Sequence, residues 1–152
     1  MTPEQIAEWL SEHFAHVIPK SEKSETSYFV NPDSEMPSDT YFASVMEKNS
    51  DEDRASGLDR EGVFRIDFGP GADAFEAMFG DVPARPAKGE IIEGPWNFAT
   101  LDTIMPHPVY GWMGWMCVLN PSRTTFHKCK PLLESAHARA MDTVMKRLDG
   151  AA

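Results

Sequence analysis

The residues best equipped for chemistry cluster between 101 and 122, in the run LDTIMPHPVYGWMGWMCVLNPS. His107 lies there between Pro106 and Pro108. An imidazole titrates near neutrality and serves as acid, base or ligand, and flanking prolines fix its backbone. A hydrogen bond that locks the loop is the competing role for the same residue. Tyr110, Trp112 and Trp115 follow, and aromatic rings supply much of the surface of small-molecule sites. On a strand, Trp112 and Trp115 point to opposite faces unless Gly114 introduces a bulge, so one of them belongs to the core. Upstream, Arg65 and Asp67 alternate with Phe64, Ile66 and Phe68. On an open sheet face Arg65 is placed to clamp a carboxylate or phosphate with two parallel hydrogen bonds, whereas Asp67 or Asp102 neutralises it in an internal ion pair. The candidate ligand-binding set is therefore Arg65, His107, Tyr110 and Trp112. The alternative catalytic pair is His107 with Asp102, assisted by Arg65.

Other constellations are weaker. Ser122 follows Asn120 and Pro121 as a helix cap, and neither Cys117 nor Cys129 has an activating neighbour, so no nucleophile is marked. His107, His127, Cys129 and His137 make a metal site only on paper, because a His-x-Cys pair within one helix occupies different faces. Asp51, Glu52 and Asp53 lack the spacing and glycine of a calcium loop and read as a solvated segment. Gly69-Pro70-Gly71 lacks the Lys and Ser/Thr of a phosphate loop and reads as a turn. Neither a metal nor a cofactor is expected.

Charge and hydropathy limit the partners. Twenty-four acidic against fourteen basic residues give a net charge of −10, a field that repels phosphate backbones, so nucleic acid is not an expected partner. The basic residues between 123 and 147, interrupted by Glu134 and Asp142, read as a solvated helix face. The N-terminal MTPEQIAEWL is acidic where a secretory signal needs positive charge, and no apolar run approaches the roughly 18 residues of a membrane span. These features imply a cytoplasmic chain without membrane contact, both cysteines reduced. Its partner is expected to be a small molecule or another protein, its state a monomer or homodimer.

The length of 152 residues suits one domain, spanning 1–152. Thr2-Pro3-Glu4-Gln5 is a capping box with proline at the first helical position, and Ile6, Leu10, Phe14 and Val17 continue at helical spacing until Pro19. Residues 20–26 are polar and unpatterned. Strands follow at 28–30, 40–46 and 63–68, the last alternating as a half-buried strand does, with a charged loop before it. Residues 72–79 form a short helix closed by Gly80, and 81–95 form a Pro/Gly-rich loop or an edge strand around 90–92. Residues 98–104 read as a strand or extended segment, 112–119 as a buried strand, and Ser122 opens a last helix. That helix carries Phe126, Cys129, Leu133, Ala136, Ala140 and Val144 on one side, with Pro131 near its first turn or at a break. The expected fold is α+β in two layers, α-β-β-β-α-β-β-α, with terminal helices on one face of a largely antiparallel, five-stranded sheet.

Through GLDREGVFRIDFG, LDTIMPHPVYGWMGWMCVLNPS and the later PLLESAHARA, residues 3–147 resemble a bacterial family of small uncharacterised proteins, PHPVY and CVLNP being the distinctive pieces. Less closely, the element order looks like the MmcQ/YjbR-like proteins, whose secretion-chaperone-like fold has a tryptophan-containing strand before a closing helix. The resemblance implies helices packed on an antiparallel sheet and no established activity. The residues favour a non-enzymatic module that binds a small molecule or protein. A small hydrolase or isomerase using His107, Asp102 and Arg65 is the alternative.

Overall fold

A computed structural model of the chain describes residues 1–30 and 40–151, the last four as backbone only. The elements are α1 (Pro3–His13), β1 (Val17–Glu22), β2 (Glu25–Val30), β3 (Thr40–Met46), β4 (Arg65–Phe68), α2 (Ala72–Phe79), β5 (Met105–Pro106), β6 (Met116–Leu119) and α3 (Arg123–Ala151). The strands form one six-stranded sheet in the order β1-β2-β3-β4-β6-β5, and every strand pairing is antiparallel. The α+β architecture agrees with the sequence reading.

Register divides the sheet into two faces of different chemistry. Ile66 pairs with Val45 on one side and Val118 on the other, and Phe68 with Ala43 and Met116. These residues bury their side chains against Ile6 and Leu10 of α1 and against Phe126, Leu133, Ala136 and Val144 of α3. Both helices are amphipathic for that purpose, and the Thr2–Gln5 capping box starts α1 as its sequence requires. On the opposite face Asp67 stands between Ser44 and Cys117, and Arg65 between Met46 and Leu119. Among the described residues, loops rather than α-helices cover this side. Leu58 from loop 47–64 and Trp96 pack over Met46, Met105, Cys117 and Leu119.

Five local expectations are corrected. α1 ends at His13 rather than Pro19, and the polar stretch 20–26 belongs to a β1–β2 hairpin in which Glu22 faces Glu25. Lys23 takes a positive φ of 55° in its tight turn, and Pro19 is tolerated because β1 is an edge strand. Residues 98–104 form no strand apart from a single bridge of Leu101 to Leu119. β6 starts only at Met116, because Gly111–Met113 is a 3-10 turn closed by Gly114 in the left-handed region. Finally, α3 continues through Pro131. The core-facing Cys129, Leu133 and Ala136 hold both sides of that missing backbone bond in place.

Ile66 is fully buried in the central strand, so Ile66→Ala should cost about 2–5 kcal/mol of unfolding free energy in a urea titration. A loss below about 1 kcal/mol would show that the helix-covered face is not the main core.

Candidate functional site

Arg65 is the largest fully buried side chain of the described residues. A guanidinium cannot shed its charge in a protein, so five N–H donors and a full charge must be satisfied inside. Asp67, two residues along the same strand face, accepts from Nε at 2.6 Å and from Nη2 at 3.1 Å. Loop 47–64 brings the second carboxylate: Asp53 accepts from Nη1 at 2.9 Å and also from Nη2, and Ser56 Oγ accepts from Nη1 at 2.9 Å. The loop is shaped for this. A bridge between Ser50 and Asp53 turns it, and Asn49 Oδ1 accepts from the Leu58 N–H at 2.9 Å. Arg60 then ties it down by donating to Ser56 O and Ala99 O.

Electrostatics follow from burial and proximity. Burial by itself would lower the Arg65 pKa, but Asp67 and then Asp53 drive it well above the usual value. Burial would raise the Asp67 carboxyl, and Arg65 with His107 overcomes it, holding that group at about 2. Ser44 Oγ also donates to Asp67 Oδ2 at 3.1 Å.

His107 closes the cluster from the 106–115 loop and is 2% exposed. Its Nδ1 accepts from the backbone N–H groups of Val109 at 3.1 Å and Tyr110 at 3.0 Å. That nitrogen therefore carries no proton, and the ring hydrogen sits on Nε2. Nε2 lies 3.4 Å from Asp67 Oδ2 and 3.2 Å from Arg65 Nη2, so its hydrogen is directed at the carboxylate the guanidinium also holds. His107 fixes the loop with its main chain too, donating to Trp115 O at 2.9 Å and accepting from the Gly111 N–H at 2.8 Å.

Above this buried cluster opens a cavity of about 110 Å³. Its floor includes Asp53, Asp67, Ser44 and His107, and its walls carry Glu25, Glu52, Tyr41, Tyr110 and Trp115. The Tyr41 and Trp115 rings meet at 5.1 Å with a 44° tilt, and Tyr110 stands 5.1 Å from the His107 ring. Trp115 is seated against Gly69, where a Cβ would come 2.5 Å from the indole. Burial, then Tyr110 and Glu25, push the Tyr41 phenol up to about 12, and burial followed by Asp53 raises that of Tyr110.

The sequence-predicted residues thus separate. Arg65, His107 and Tyr110 come together, with Arg65 an internal ion pair rather than an open-face clamp. Trp112 does not line the cavity; its ring receives the Arg85 guanidinium at 4.6 Å, while Trp115 takes the wall position. Asp102 is held at the other end of β6: its N–H donates to Leu119 O, whereas His107 pairs with Trp115. Four residues of extended strand separate those positions by about 13 Å. The exposed Asp102 carboxylate accepts from the Ser122 N–H at 2.7 Å, which lowers its pKa and caps the entry to α3. Asp53 and Ser56 were legible only as part of a solvated loop, yet an arginine on the same strand face as one aspartate signals that further counter-charge must arrive from elsewhere. Among the described residues, no group of three His, Cys, Asp or Glu side chains is arranged to hold a metal ion.

Because Asp67 is depressed to about 2 from 3.8, its stabilisation is complete above the unfolded-state value and is lost as pH falls through the folded one. About 2 kcal/mol of stability should disappear between about pH 4 and pH 2 in acid titrations followed by circular dichroism. Asp67→Ala should remove that acid limb and cost about 3–5 kcal/mol at neutral pH by leaving Arg65 half-paired. An unchanged acid limb would contradict the assignment. Asp102→Ala should cost only a cap's contribution, about 1 kcal/mol, without altering the Trp115 environment by fluorescence.

No curated protein and no solved structure matches the chain. No helix among the described residues is long and apolar enough to cross a membrane. Residues 1–149 match a family of unknown function, DUF6194, and the chain belongs to that family.

Proposed function

We propose that the protein is a non-enzymatic binding module that takes a small molecule in the cavity bounded by Tyr41, Tyr110 and Trp115. The observation that carries this reading is an open, ring-walled cavity over a floor whose polar groups are already engaged by one another. Aromatic walls offer contact area, and a fully hydrogen-bonded floor offers shape without reactivity. Tyr110, exposed at 40%, supplies the ligand contact. Arg65 and His107 serve as positioning residues that hold the floor and the 107–111 turn.

The enzymatic reading requires a nitrogen of His107 free for proton transfer and Asp102 beside it. Against it stand the two backbone N–H groups on Nδ1, the carboxylate facing Nε2, and the placement of Asp102 at α3. The thiols offer no substitute nucleophile, since burial pushes Cys117 far up and Cys129 to about 12. The likeness in element order to MmcQ/YjbR-like proteins adds no activity to this reading.

A mixed set of neutral, anionic and cationic fragments, screened by NMR, tests it. Ligands should shift the Trp115 indole and Tyr110 signals and be recovered chemically unchanged, and Tyr110→Leu should weaken them by about tenfold with little change in Tm. Shifts confined to other surfaces, or conversion of a fragment, would overturn the proposal.

A further inference from the structure

Glu25 and Glu52 in the walls and Asp53 and Asp67 in the floor line the cavity, and among the described residues no lysine or arginine does. Behind the floor, a single guanidinium answers both Asp53 and Asp67. One positive charge against two leaves the floor net negative before Glu25 and Glu52 are counted. The consequence shows at Glu25, whose carboxyl is raised by burial and then by Asp67, with Arg65 opposing. Among the described residues no side-chain hydrogen bond or ion pair engages Glu25. An anion entering this space meets four carboxylates and no cationic donor.

Around that negative field stand three aromatic rings, Tyr41, Tyr110 and Trp115, two of them meeting at a tilt of 44°. Ring faces and carboxylates attract the same species, a cation with an apolar skin. A bare metal ion is a poorer occupant, because the described side chains offer no three-ligand set. The cavity's volume of about 110 Å³ holds a head group and little more. It shares Glu25, Met46 and Ser50 with a larger, more open groove of about 610 Å³ between the β1–β2 hairpin and residues 48–51, which gives the remainder of a longer ligand a place to lie.

We propose that the ligand is an organic ammonium ion, its head held between Tyr41, Tyr110 and Trp115 and neutralised by Glu25 and the excess charge of the floor. This deepens the binding reading and rests on it. Glu25 is then a residue whose cost to the free protein is offset when the cation arrives.

The test titrates the full chain with tetramethylammonium and butylammonium, with tert-butanol as an uncharged probe of similar shape and acetate and inorganic phosphate as anions, read on the Trp115 and Tyr110 resonances. The ammonium ions should bind about tenfold or more tightly than tert-butanol, and the anions should leave both signals in place. Glu25→Gln and Tyr110→Leu should each weaken ammonium binding by about tenfold. Glu25→Gln should show a Tm no lower than the parent, and Glu76→Gln on α2 should bind as the parent does. Equal binding of tert-butanol, or binding of acetate or phosphate, would overturn the ammonium assignment while leaving a small-molecule site. Silence from every probe on the cavity residues would sink both readings.

Discussion

A permanently charged guanidinium buried to 0% exposure is the constraint around which the second face of this protein is organised. Removing such a group from water costs several kcal/mol, and the interior returns it only through short, well-directed hydrogen bonds. β4 supplies one carboxylate in register. The other comes from loop 47–64, which must fold over the sheet to deliver Asp53 and Ser56. The same demand recruits His107, whose Nε2 faces Asp67 while Nδ1 gathers the turn that follows. Two loops are thereby tied to the sheet by polar contacts rather than by a helix packed over them.

The two faces of the sheet divide the labour. On the helix-covered face, Ile66, Phe68 and their neighbours supply apolar burial, the largest favourable contribution to folding. The loop-covered face combines a small apolar group around Leu58, Met105 and Leu119 with the polar cluster. Its aromatic cavity is a by-product of that arrangement: the turn fixed by His107 presents Tyr110, and Gly69 leaves room for Trp115 to stand beside Tyr41. A binding surface mounted on loops gains its rigidity from the ion pairs beneath it.

How much is legible in the sequence follows the range of the interactions involved. Periodicity and local capping are short-range signals, and they reveal α1, α2, the core face of α3, β3 and the alternation of β4. The β1–β2 hairpin is hidden because Lys20 to Lys23 lie at an edge with exposed side chains, where the apolar alternation that marks a strand is absent. The 3-10 turn at Gly111–Met113 shortens an apolar run that reads as one strand, and so exchanges the expected Trp112 for Trp115. The pairing of Arg65 with Asp53 spans twelve residues of loop and has no periodic trace. The acidic run 51–53 reads as solvated for the same reason. Asp102 stands near His107 in sequence, whereas the chain between them runs beside β6 and carries them apart.

Hydrogen exchange of the Arg65 side chain tests the central claim most directly. In D₂O, the Arg65 Nε–H signal should persist on the time scale of the Ile66 amide, because both exchange only when the structure opens globally. The exposed Arg54 guanidinium, on the surface at 68% side-chain exposure, should lose its signal at once. Loss of the Arg65 signal together with that of Arg54 would mean that the guanidinium is not sealed between Asp53 and Asp67, and the account of the loop-covered face would be wrong.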